Sequence, residues 1–408
     1  MAEARRICLQ WPRFGPYHLG RFRATRSLLA SDGFDVHGLE TATSDALYGS
    51  MFDSPRRDQH VTTVFPGRVL EELGVREIRR GIQRTLAQLD PDAVAINSYS
   101  FPDALAALDW CRGHRRVAIL MAESTATDAE RAVWRERLKR AIVRGFDSAL
   151  VGGSPQRRYA IALGIPADRV FTGYDAVDNE WFAAQVDKIR AEKPDSPPCF
   201  LASGRFVVRK NYGVLLEAYR LYRDRVPEAW PLVMLGDGPE RATLQEFVRD
   251  SGLAGVHMPG LVPHAELARY YADAGCFVHT ATVEQWGLVV NEAMASGLPV
   301  LVSQSSGCAE DLVSPGVNGF TFDAGDARAL SDLLLRISSG AGDRESMGRQ
   351  SRRIIGDWGL TTFARQMLRA WEAGTGRANR PYPLETRLVL TALRVAARNV
   401  HSFHAIRE

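Results

Sequence analysis

Glu284 and Glu292 flank a short run, Gln285-Trp286-Gly287-Leu288-Val289-Val290-Asn291, that reads as the entrance to a helix. An apolar strand ends near Thr280, a polar loop follows, and 286–296 predicts a helix stopped by Gly297 and Pro299. The backbone amides of Gly287, Leu288 and Val289 would then form a free helix N-terminus, which attracts phosphate through unpaired N–H groups and the macrodipole. A glycine at 287 lets a ligand come close to the backbone. Glu292 falls about 8 Å along the helix axis from its start, at roughly 1.5 Å per residue. Glu284 precedes the helix, on the other side of a bound phosphate. Two carboxylates so placed bracket a diphosphate and can accept hydrogen bonds from sugar hydroxyls.

Carboxylates beside a phosphate repel it unless cations offset the charge, and Gly204-Arg205-Phe206-Val207-Val208-Arg209-Lys210-Asn211 supplies them. Arg205 and Lys210 leave the end of an apolar strand, where ligands of open parallel sheets gather. The guanidinium offers a planar fork and the ammonium a point charge, both suited to diphosphate oxygens. Arg209 reads as an exposed neighbour. Gly236-Asp237-Gly238-Pro239 is either a tight turn or a backbone edge of the nucleotide site. In the N-terminal half, Gly15 and His18 follow the first strand; His18 is either a contact to acceptor or donor phosphate or an ordinary helix-start histidine. Asp90-Pro91-Asp92 has the spacing of an Asp-x-Asp metal site, but it precedes a strand in a loop where solvated aspartates are common. None of the nine histidines falls in a His-Glu-x-x-His cluster, and no metal is expected. No Gly-x-Gly-x-x-Gly follows the first strand and no Walker-type Gly-Lys-Ser/Thr occurs, which argues against dinucleotide redox chemistry and P-loop phosphoryl transfer.

Holding these groups requires strands whose carboxyl ends share an edge. Short apolar strand candidates at 7–10, 34–39, 61–65, 93–97, 117–122, 149–152 and 170–173 alternate with helical stretches such as 69–89 and 129–144. A second series follows at 200–203, 232–235, 256–258, 277–280, 300–303 and 320–322. Between them, 188–198 (KIRAEKPDSPP) breaks the pattern with charge and prolines and is the expected linker. The predicted layout is an N-terminal Rossmann-like domain at 1–187, a second Rossmann-like domain at 199–358, and helices at 359–408 crossing back to the N-terminal domain.

At 408 residues the chain exceeds what one hydrophobic core usually supports. Its composition, 45% hydrophobic and 24% charged, is that of a folded soluble protein. No apolar run approaches the roughly 18 residues a spanning helix needs. A net charge of +3 is too small for nucleic-acid binding. Five dispersed cysteines with no Cys-x-x-Cys pair read as reduced structural thiols. The N-terminus shows no signal-peptide pattern, and the expected location is the cytoplasm. Residues 377–408 hold six arginines against two glutamates, an amphipathic basic tail suited to a domain-crossing helix or to peripheral contact at the inner membrane face.

The ordered set of motifs resembles the retaining glycosyltransferases of family four, over about residues 150–373. The set is Gly204-Arg205 with Lys210-Asn211, Gly236-Asp-Gly-Pro239, Gly260, Glu284-x7-Glu292 running into Ala295-x-Gly297-x-Pro299, then Gly307, Glu310 and Gly319. The resemblance implies an α/β protein of GT-B architecture, two doubly wound Rossmann-like domains facing each other across a cleft. It implies retaining, metal-independent transfer of a hexose-type sugar from a nucleotide diphosphate sugar to a hydroxyl acceptor, with UDP slightly favoured over GDP and no further cofactor. By the same resemblance Arg205 and Lys210 bind the diphosphate, Glu284 the transferred sugar and Glu292 the ribose, with Gly204, Gly287, Leu288 and Val289 lining the donor site. Glu123 stands where family members often carry a histidine near the sugar. The adjacent glycine pair usual after the first strand is replaced here by Gly15-Pro16. A sugar-nucleotide epimerase and a non-catalytic nucleotide-sugar-binding module of the same architecture are the alternative readings.

Overall fold

The computed structural model describes residues 5–44, 58–128, 131–193, 197–340, 343–377 and 383–396. Thus 194–196 of the expected linker and 397–408 of the basic tail lie outside the described residues. The chain forms two compact units, Met1–Ala176 with Leu360–Glu408, and Val177–Gly359.

Unit one holds a seven-stranded parallel sheet: β1 (Arg5–Trp11), β2 (Phe34–Ser44), β3 (Val61–Val69), β4 (Ala93–Asn97), β5 (Val117–Ala122), β6 (Ser148–Val151) and β7 (Val170–Thr172). Their order is β3-β2-β1-β4-β5-β6-β7. Alternation along β1 covers both faces of the sheet. Ile7, Leu9 and Trp11 pack with Phe363, Met367 and Trp371 of the helix Leu360–Thr375, whereas Cys8 joins Ile78, Ile82 and Leu108 on the opposite face. The Ser148 hydroxyl donates to the Ala370 carbonyl at 2.6 Å, fastening that helix to β6.

Unit two holds six parallel strands: β8 (Cys199–Ser203), β9 (Leu232–Leu235), β10 (Val256–Gly260), β11 (Ala274–His279), β12 (Val300–Ser303) and β13 (Gly319–Phe322), ordered β10-β9-β8-β11-β12-β13. Strand order reverses between β8 and β11. Loops leaving these two neighbours diverge, which opens the crevice where doubly wound sheets hold ligands.

The units divide at 176/177 and 359/360, so the expected boundary at 188–198 falls inside unit two. Packing overrides composition there. The helix Asn179–Glu192 buries Phe182 and Val186, and the Arg190 guanidinium donates to the carbonyls of Tyr271, Ala272 and Ser296. The segment 69–89 also divides. β3 runs on to Val69, and the helix begins at Val75. All five cysteines are buried, and none is joined in a disulfide.

Candidate active site

Arg205 and Lys210 sit in the loop leaving β8, and the backbone of the next loop fixes its shape. Gly236, at φ 132°, packs so closely that a Cβ there would lie 1.9 Å from the Gly204 carbonyl oxygen, so no other residue fits. The Phe206 amide donates to the Asp237 carbonyl at 2.8 Å and the Glu240 amide to the Phe206 carbonyl at 2.9 Å. Gly236-Asp-Gly-Pro239 is therefore a turn that buttresses the Arg205 loop. The Arg205 side chain is half-buried and makes no hydrogen bond or ion pair among the described residues. Asn211 turns the chain in a left-handed conformation at φ 57° and ties it down, its amide donating to the Ala324 carbonyl at 2.7 Å.

The loop after β11 is strapped to this cation loop. The Thr280 hydroxyl donates to the Lys210 carbonyl at 2.8 Å and the Thr282 amide to the Arg209 carbonyl at 2.9 Å. The straps bring the Lys210 ammonium into a hydrogen-bonded ion pair with Glu284 Oε2, with side chains 12% and 11% exposed. Arg209 approaches the other carboxylate oxygen at 3.7 Å from its own exposed position. The Glu284 backbone is itself clamped, its carbonyl accepting from the Gly307 amide at 2.9 Å. Burial by itself would raise the Glu284 pKa, but His279 and the Lys210 ammonium outweigh it and hold the group down to about 2.

Gly287, at φ 111°, caps the helix Leu288–Ala295. A Cβ at this position would lie 3.4 Å from His279 Nε2 and 3.6 Å from Glu284 Cγ, at a backbone angle that side chains disfavour. The amides of Gly287, Leu288 and Val289 meet no acceptor among the described residues, so the helix presents an open N-terminus beside the Lys210–Glu284 pair. Glu292 is 1% exposed on the same helix, and its Oε2 accepts from the Tyr271 hydroxyl at 2.7 Å. Trp286, also buried, donates from Nε1 to Asn291 Oδ1 at 2.8 Å and pins the loop from beneath. The sequence reading did not single out His279 or Tyr271, which complete the surroundings of the two glutamates.

In unit one, Gly15 caps the helix Pro16–Ala30, and its amide donates to His18 Nδ1 at 3.1 Å. The His18 ring stacks on Trp11 at 5.1 Å between centroids. Desolvation, then Arg21 and Arg13 nearby, pushes its pKa down to about 3, so the ring is neutral and its Nε2 carries the proton. Glu123 follows β5, half-buried and near the Tyr174 ring. Asp90 and Asp92 are both engaged by Arg116, at 2.6 and 2.9 Å, and serve as a structural clamp. Among the described residues no group of three or more His, Cys, Asp or Glu could hold a metal ion.

Two units of this topology define the GT-B fold. The structure of Anabaena Alr3699/HepE in complex with UDP is similar to this chain with a TM-score of 0.69 at 17% identity, covering 90% of this chain and 100% of that one. A glycosyltransferase from Rickettsia africae gives a TM-score of 0.70 at 13% identity, covering 90% and 98%. Residues 185–354 match the model of the glycosyl transferases group 1 family. In sequence the chain is similar to glycosyltransferases. It is 31% identical over 190 residues to the amylovoran biosynthesis glycosyltransferase AmsK of Erwinia amylovora, covering 45% of each chain. It is 28% identical over 343 residues to a GDP-mannose-dependent alpha-mannosyltransferase of Mycobacterium tuberculosis, covering 80% of this chain and 84% of the other. The chain spans about half the length of several of the curated relatives it matches.

Proposed function

We propose that this protein is a retaining glycosyltransferase of family four that moves a hexose-type sugar from a nucleoside diphosphate sugar to a hydroxyl acceptor without a metal. The observation that carries this reading is the meeting of Lys210, from the β8 loop that also carries Arg205, with three open helix amides beside Glu284. As the sugar–phosphate bond loosens, negative charge builds on the leaving diphosphate and positive charge on the anomeric carbon. Cations and fixed N–H dipoles stabilise that anion where it forms, the role a metal plays in other enzymes. A leaving phosphate oxygen takes the acceptor's proton, and no carboxylate nucleophile is required, unlike the paired carboxyls of glycoside hydrolases. In this reading His18, with its neutral Nε2–H, Gly15 and Glu123 are contacts to the acceptor or the sugar.

UDP is the favoured base, and the similar HepE structure binds it. GDP is the alternative, as in the mannosyltransferase relative. No described helix is long and apolar enough to cross a membrane. Action in the cytoplasm at the inner membrane face is consistent with the basic tail, whose described part exposes Leu384 and Leu388 beside Arg387.

A thermal-shift screen of nucleoside diphosphates tests the reading first, since a ligand at about 100 times its Kd stabilises by about 2.7 kcal/mol. Turnover of the matching donor is expected to survive excess chelator to within about twofold, because no metal-bound water or Lewis acid is used. Collapse in chelator with rescue by a divalent ion refutes the metal-free assignment, and conversion of donor alone to its epimer refutes transfer.

Glu292→Gln is expected to separate ribose binding from chemistry. Glutamine still accepts from the Tyr271 hydroxyl but loses a charge-assisted bond, so the donor KM should rise about tenfold with kcat within about threefold. A variant with unchanged KM removes Glu292 from the donor site.

A further inference from the structure

His279, the last residue of β11, has a side chain only 4% exposed, and its Nε2 has no hydrogen-bond partner among the described residues. That atom faces Glu284 Oε2 at 3.6 Å, just beyond hydrogen-bond reach. A buried nitrogen without a partner is costly, and its presence in a fold calls for an explanation. Burial, then the cations Lys210 and Arg209, outweigh the pull of Glu284 and lower the ring's pKa, so the imidazole is neutral. A carboxylate beside it favours the tautomer with the proton on Nε2. The ring is thus an N–H donor held one small step from its acceptor.

In the structure Glu284 Oε2 is held by the Lys210 ammonium. A diphosphate arriving at the open amides competes for the same ammonium with more negative charge than one carboxylate carries. When Lys210 turns to the phosphate, Glu284 is left as a buried carboxylate without its closest cation, a state that is strongly unfavourable unless another group replaces the partner. With diphosphate alone, water can enter the vacant sugar position and serve. Once a sugar fills that position, the water is excluded and a protein donor must take over.

We propose that His279 is a positioning residue that takes Glu284 Oε2 when Lys210 is drawn to the donor diphosphate, leaving Glu284 Oε1 to hold the sugar hydroxyl. The proposal rests on the glycosyl-transfer reading above. It explains why the buried imidazole stands between the cation loop and the helix N-terminus, tied to Lys210 through the adjacent Thr280.

Calorimetric titration of the full chain with UDP, GDP, UDP-glucose and GDP-mannose tests it, using wild type, His279→Leu and His279→Gln. Glutamine returns an N–H donor near the Nε2 position. His279→Leu should bind the matching nucleoside diphosphate within about threefold of wild type yet lose about tenfold in affinity for the nucleotide sugar. His279→Gln should recover most of that loss, and kcat for slow donor hydrolysis should follow the same order. Equal weakening of nucleotide and nucleotide sugar in His279→Leu, a glutamine variant as impaired as leucine, or no change in either variant overturns the proposal. If wild type binds none of the four ligands, the glycosyl-transfer reading itself fails and the role of His279 with it.

Discussion

Lys210→Ala and Arg205→Ala are each expected to lower kcat by about 10²- to 10³-fold, comparable to removing one donor from an oxyanion hole. Both residues lie in the same β8 loop, and in the proposed complex both serve the place where the departing diphosphate gains charge. The two variants should differ in stability. The Arg205 side chain makes no ion pair or hydrogen bond among the described residues, so truncating it breaks no such contact there. Lys210 neutralises a buried carboxylate, so its removal leaves Glu284 with only His279 at 3.6 Å and Arg209 at 3.7 Å. A cost of about 1–2 kcal/mol follows, below the 3–5 kcal/mol of a fully orphaned buried charge because those two groups remain. The readout is steady-state kinetics on the matching donor beside thermal melts of each variant. Arg205→Ala should melt with wild type, and Lys210→Ala a few degrees lower. Wild-type kinetics in both would remove the diphosphate site from this loop.

The thirteen described strands were legible in the sequence because most are short apolar runs buried on both faces, cut off by polar or glycine-containing turns, with the edge strands β3 and β10 more exposed. Edges were less legible. β3 extends to Val69 because pairing with β2 carries an edge strand past its apolar stretch into Pro66-Gly67-Arg68, which are exposed. The unit boundary was hidden for the opposite reason. Charge and prolines at 188–198 are the usual compositional signal of a linker, whereas the division at 176/177 follows Tyr174-Asp175-Ala176, all fully buried, with Asp175 facing Arg21 at 3.6 Å. Nothing in composition distinguishes such a crossing from a core strand end.

The site was legible where chemistry is written in spacing. Glu284, Gly287 and Lys210 come together because the loops of β8 and β11 adjoin at the strand-order reversal. Glu292 illustrates the limit. Spacing located its helix, but its burial against Tyr271 depends on a hydroxyl contributed by the separate helix His264–Asp273. His279 left one signal, a polar residue ending the otherwise apolar strand AGCFVH at the carboxyl edge of the sheet. A single histidine without a motif does not reveal that its nitrogen lacks a partner, since that fact belongs to packing.

Glu284→Gln is the second large effect, because this carboxylate touches both the cation and, in the proposed complex, the moving sugar. Glutamine keeps the shape and one acceptor oxygen but removes the charge that opposes Lys210 and steadies the developing positive charge at the anomeric carbon. A contact that strengthens as the transition state forms lowers kcat when lost, so a fall of about 10²-fold in kcat is expected with little change in affinity for the nucleoside diphosphate. Lys210, freed from its partner, is available to phosphate without breaking an ion pair, so nucleoside diphosphate binding should hold or tighten in the variant. The pH dependence follows from the same pair. Glu284 is held at about 2 against an ordinary 4.5, a folded value below the unfolded one. Its contribution to stability is therefore fully present above about pH 4.5 and is lost as pH falls toward 2. Wild type should lose stability relative to Glu284→Gln across that acid window, and the acid limb of kcat/KM near neutrality should be unchanged by the substitution. Melts and pH–rate profiles of the two proteins decide it. A variant that retains wild-type kcat, or a wild-type acid limb near pH 6 abolished by the substitution, would show that Glu284 neither holds the sugar nor remains ionised through catalysis.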